Sequence, residues 1–195
     1  MMNRIVITIL FATLCGLQSG KGQQISVSPV SFRLGDYHLK DTLGNEVGLD
    51  NYEDKIVVLK FWFTGCYACM VQTETMEPVK SYFRDYPDVV FLNINLDKER
   101  AKWSKSLAEG DPKIKRFRPS VNGRYSYEGD INYSTYPQGF DHQLAKALGI
   151  QVAPVLVIIG KKGEILDRNP PRPLPNNPHL ADSLISLIQR YASFP

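Results

Sequence analysis

The sequence is short of metal ligands, of excess charge and of long apolar runs. It has three cysteines and three histidines in 195 residues. His38, His142 and His179 lie far from Cys66 and Cys69, and no two of them have the close spacing of a zinc finger. Two neighbouring cysteines cannot supply the four thiolates of a structural zinc site, so no metal is expected. The formal net charge of +3 lacks the basic excess of a nucleic-acid binder. No apolar run reaches the ~20 residues of a spanning helix. There is no internal repeat, which sets repeat architectures aside. What is present is 43% hydrophobic residues, enough for one globular domain with a core and some extensions.

The N-terminus reads as a separate segment. Arg4 precedes an apolar run from Ile5 to Leu14, and small and polar residues follow through Gly16, Ser19, Gly20 and Gly22. That is the order of a secretory signal, expected over residues 1–22 with cleavage between Ser19 and Gln23. It places the mature chain, 23–195, in the periplasm or otherwise outside the cytoplasm, with no membrane span. Leu14 before Cys15 is too large for a lipoprotein signal.

The remainder alternates strands and helices. "LKDTLGNEVGL" (39–49) reads as a hairpin about Gly44-Asn45. "KIVVLKFWF" (55–63) reads as a buried central strand. A helix is expected from near Cys66, kinked at Pro78 and ended by Pro87. "DVVFLNINLD" (88–97) is a strand and "KERAKWSKSLAEG" a polar helix. Residues 111–140, rich in Pro, Gly, Arg and Tyr, read as an irregular insertion. A short helix (141–150), a strand (153–160), a Lys161-Lys162-Gly163 turn and a Pro-rich loop precede a terminal amphipathic helix (179–192). In that helix Leu180, Leu184, Leu187 and Ile188 share a face. Strand–helix–strand order gives a parallel pair, and the tight late turn an antiparallel edge. The fold class is α/β, with a mixed central sheet between helices.

The chemistry centres on "FWFTGCYACM", residues 61–70. Cys66 falls where a buried strand meets a helix N-terminus. Free N–H groups and the positive end of the helix dipole favour a thiolate there. Cys69 lies one turn on, within reach of a disulfide. Cys66 is then the attacking thiol and Cys69 the resolving one. A stapling disulfide is the competing reading, although so small a loop restricts the unfolded chain little.

These residues resemble the thioredoxin-like superfamily, in particular the exported thiol-disulfide oxidoreductases of the TlpA/ResA type, over about residues 30–192. The matching pieces are "LGNEVGLDNYEDKIVVLKFW" leading into "CYAC", "VVFLNINLD", "APVLVIIGKKGEI" and the C-terminal helix. The resemblance implies a thioredoxin-like three-layer sandwich with an N-terminal β-hairpin extension. It also implies a cis Pro154 beside the cysteines and an Ala153 that contacts substrate backbone. Expected partners are protein thiols and disulfides and an upstream thiol-disulfide electron donor. No cofactor is implied, the chain is expected to act as a monomer, and the family's role is reductive.

Several positions depart from the family pattern. Gly65 stands where a Trp is usual, Gln72 where many relatives have Glu, and Glu74 where a helix proline is usual. Lys60 occupies the place of a buried Asp or Asn. It either snorkels to water or lies under the pair and tunes its thiols, with Glu74 and Glu77 as ion partners. Arg and Tyr residues in 111–140 either cover surface or form a partner-binding rim. Two other functions share the fold. A thiol peroxidase sets a Thr three residues before its reactive Cys, where this chain has Phe63. A copper carrier spaces its cysteines by three residues and adds a distal His, for which His142 is a poor stand-in.

Overall fold

The structure is a computed structural model that describes residues 32–193; the expected leader and Cys15 lie outside them. Seven strands form one mixed sheet in the order β2-β1-β5-β4-β3-β6-β7. The hairpin is β1 (His38–Lys40) and β2 (Glu46–Gly48). Its turn closes through Asp41, whose carboxylate accepts from the Asn45 backbone N–H and side-chain amide, while Gly44 takes a positive φ of 95°.

β3 (Ile56–Trp62) is buried along its whole length. It sits between β4 (Val89–Asn95), which runs parallel to it, and β6 (Val155–Ile159), which runs antiparallel. A strand covered on both faces needs a continuous apolar run, and β3 has one broken only by Lys60. β7 (Ile165–Asp167) forms the antiparallel edge expected from the Lys-Lys-Gly turn.

Alternation along β3 divides the core. Val57, Leu59 and Phe61 face the side covered by α5 (Gln143–Leu148). Ile56 and Val58 face α2 (Glu77–Tyr82) and α6 (His179–Ser193). Trp62, on this second face, packs with Cys66, Cys69, Met70, Trp103 and Tyr125 in a cluster of its own. Trp103 comes from α3 (Arg100–Glu109).

The structure corrects the sequence reading in two places. The expected kinked helix is two helices, α1 (Tyr67–Thr75) and α2, separated at Met76. Pro78 occupies the first turn of α2, where its missing N–H disrupts nothing, and that helix ends at Tyr82, ahead of Pro87. Residues 111–140 are more regular than expected. They supply α4 (Pro112–Phe117) and β5 (Ile131–Ser134). β5 pairs parallel with β4 and antiparallel with β1, so it joins the hairpin to the sheet. Four residues that include Asn132 and Ser134 show no apolar run for a sequence reading to find.

Candidate active site

Cys66 is the N-cap of α1 and forms a disulfide with Cys69. The Cys69 backbone N–H donates to Cys66 Sγ at 3.1 Å. This is the donation expected of a helix N-terminus toward a side chain that carries negative charge when reduced. Cys66 is 6% exposed and Cys69 1%, so a substrate reaches Cys66 first. Gly65, just before the pair, has φ 94° and open space where a Cβ would stand. The backbone, not crowding, selects glycine there.

Ala153–Pro154 is a cis peptide. Cys66 Sγ lies 3.7 Å from the Ala153 carbonyl oxygen. Strand β6 therefore brings Ala153 and Pro154 to the disulfide, and the two sequence motifs meet at one place.

Lys60 does not snorkel. It is 5% exposed, and its Nζ donates to Thr73 Oγ1 at 2.8 Å and to the Tyr125 carbonyl at 3.3 Å. Thr73 Oγ1 in turn lies 2.9 Å from the Cys69 carbonyl oxygen. A chain of polar contacts thus links Lys60 to the turn that carries the resolving cysteine. Burial pushes the Lys60 ammonium down to about 7; the nearby Lys80 charge acts in the same direction, and Asp130 and Glu77 oppose both. Neither expected ion partner pairs with it directly. Glu77 pairs with Lys80, and Glu74 accepts from the Asn122 backbone N–H.

Three contributors escaped the sequence reading: Tyr125, Asp97 and Thr73. Tyr125, assigned to a surface segment, is buried; its ring stacks on Trp62 with centroids 4.5 Å apart, and its hydroxyl accepts from the Gly65 N–H at 2.6 Å. Burial pushes its phenol up to about 12, so it stays neutral. Asp97 accepts from the Thr64 N–H at 3.1 Å and from the Thr64 hydroxyl at 2.6 Å. Burial raises the Asp97 carboxyl, but the hydrogen bonds from Thr64, Asn95 and Lys102 outweigh it and hold the group below its usual range. With Thr73, these residues fix the loop that presents Cys66. Their separation in sequence hides them: only the partial alternation of "VVFLNINLD" into Asp97 hints at a polar strand end.

His142 is elsewhere. Its Nδ1 caps α5 by accepting from the Leu144 N–H, and it lines a cavity with His38 rather than the cysteine cluster.

The pattern of the AhpC/TSA family matches residues 31–168 of this sequence. The chain belongs to the AhpC/TSA family. This member is 28% identical over 102 residues to thioredoxin-like protein YneN of Bacillus subtilis; the match takes in 52% of this chain and 58% of that relative's length. Its fold is similar to that of the thioredoxin domain of a thiol-disulfide oxidoreductase from Bacteroides vulgatus. There the TM-score is 0.54 at 18% identity, over 85% of this chain and all of that one. A thioredoxin-like protein from Bacteroides caccae gives a TM-score of 0.56 at 16% identity, over 80% of this chain and 47% of that one. The likeness establishes a thioredoxin-like fold for this family member.

Proposed function

We propose that the protein is an exported thiol-disulfide oxidoreductase that reduces protein disulfides. The observation that carries the reading is the Cys66–Cys69 disulfide on the first turn of α1, with Cys66 facing Ala153 beside Pro154. In the reduced protein the Cys66 thiolate attacks one sulfur of a substrate disulfide. A mixed disulfide forms and one substrate thiolate leaves. Cys69 then gives up its proton, attacks Cys66 Sγ, closes the intramolecular disulfide and releases the second substrate thiolate. Backbone groups at Ala153 align the substrate chain.

Lys60 tunes this sequence of steps. When charged, it favours thiolate at the pair; when neutral, it is a base for the proton that Cys69 sheds. Export rests on the apolar run Ile5–Leu14 and the small residues behind it, and N-terminal sequencing of the native protein is expected to start between Gly20 and Gln24.

Phe63 in place of a Thr weighs against a peroxidase. The two-residue spacing, with His142 used as a helix cap, weighs against a copper carrier. The direct test is insulin reduction by dithiothreitol. The wild type is expected to accelerate it, Cys66→Ser to abolish the acceleration, and Cys69→Ser to accumulate mixed disulfides. Equal activity of wild type and Cys66→Ser would refute the reading.

A further inference from the structure

Beside the disulfide runs a groove of about 540 Å³ between α1 and the segment 169–174. Its apolar floor and wall come from Val71 and Leu180 and from Pro170, Pro171 and Pro173. The wall is tied in place: Thr75 Oγ1 donates to the Pro173 carbonyl at 2.9 Å, and Arg172 Nη1 to the Pro154 carbonyl at 3.1 Å. A proline-rich wall held at both sides loses little freedom when it is occupied.

Three features say what it accepts. Gln72 lines the groove and is 4% exposed, yet its Oε1 has no hydrogen-bond partner. A buried acceptor without a partner is costly, and a side-chain amide at the groove wall matches a peptide carbonyl or, turned over, a peptide N–H. Among the described residues, Arg172 is the only charged one that lines the groove. Arg118 sits over the ring of Tyr67, which also lines the groove, at 5.6 Å. Arg118 continues an exposed basic run with Lys113, Lys115 and Arg116 on α4. Exposed apolar side chains line the groove or adjoin its residues in sequence. Tyr67 and Leu174 line the groove, Val152 lies two residues before Pro154, and Phe117 adjoins Arg118.

We infer that this groove selects the disulfide-bearing substrate: it takes an extended segment with an apolar side chain next to the reacting cysteine and acidic residues flanking it. The apolar side chain fills the space over Val71, a peptide group completes Gln72, and Arg118 and Arg172 hold the acids on either side. The groove shares Pro154 and Tyr67 with the reacting site, so a chain aligned at Ala153 continues directly into it. The inference rests on the exchange reading above.

The test uses the mature Cys69→Ser protein and short peptides whose single cysteine is capped as an aromatic mixed disulfide. Attack by Cys66 on the peptide sulfur releases the coloured aromatic thiolate. Four peptides combine Leu or Gly beside the cysteine with Glu or Lys flanking it. The Leu/Glu peptide is expected to react about tenfold faster than Leu/Lys, as two rim charge pairs and their steering effect allow, with the ratio falling at high salt. In Arg118→Ala/Arg172→Ala the Glu-to-Lys ratio is expected to approach one. Equal rates for all four peptides, with a small aromatic disulfide still reacting at Cys66, would overturn the groove's role and leave the exchange reading standing. Failure of that small reagent as well would overturn the exchange reading itself.

Discussion

Two buried polar side chains beside the cysteines make opposite demands on the fold. Lys60 is hydrogen-bonded but buried as a cation, and its folded value near 7 lies well below the 10.5 of an exposed lysine. Between those values the unfolded chain binds a proton that the folded chain does not, so stability rises with pH across the window, by at most about 1.4 kcal/mol per pH unit. Lys60→Met removes this dependence. Its gain in stability over wild type should be largest below pH 7 and fade toward pH 10, as read by urea unfolding across pH. The same variant should raise the Cys66 thiol pKa, seen in thiolate absorbance, and slow resolution by Cys69. Parallel pH profiles for the two proteins would leave Lys60 without a role at the pair. Gln72 has the reverse problem, an acceptor with no partner. Gln72→Met should stabilise the free protein by about 1 kcal/mol while weakening peptide reaction, a split between stability and function that calorimetry and kinetics read separately.

At the level of elements, the site is a loop pinned from three directions. β3 delivers Trp62, Thr64 and Gly65 to the start of α1; Asp97, just past β4, holds Thr64; and Tyr125 holds Gly65. The Asp97 carboxyl is held below its usual range. Its contribution is therefore present above the unfolded value near 4 and is lost as pH falls through the folded one. Asp97→Ala should cost about 2 kcal/mol at neutral pH, since it removes charge-assisted hydrogen bonds. The loss should shrink in acid. Acid and neutral unfolding curves of the variant that differ from wild type by the same amount would contradict this.

The elements also show which parts of the site were legible in the sequence. Cys66, Cys69 and the helix start were, because strand, glycine and cysteines are contiguous and each acts locally. The face of Lys60 was, because a strand alternates strictly and Trp62 shares that face. Tyr125, Thr73 and Asp97 were not: they meet only after β4, α1 and the 118–130 segment pack together, and no spacing records that meeting. Periodicity put Leu180 on one face of α6 with Leu184, Leu187 and Ile188, yet it lines the groove, whereas Leu184 and Ile188 are buried in the core.

For the whole molecule, the sheet sets what the pair can do. Central β3 ends, and antiparallel β6 begins, at the same edge of the sheet, which places a cysteine at a helix N-terminus against Ala153 and Pro154. Both tryptophans, Trp62 and Trp103, are fully buried in the cluster that holds the disulfide. Intrinsic fluorescence is therefore expected to change with the redox state, with no added probe. Equilibration of the mature protein in glutathione buffers, followed by this fluorescence, measures the potential of Cys66–Cys69. An exchange-active pair should give a reversible two-electron transition between about −270 and −120 mV, nearer the lower value for a reductant, and the transition should vanish in Cys66→Ser. A midpoint below about −300 mV, the range of structural disulfides, or a fluorescence change that survives Cys66→Ser, would contradict it.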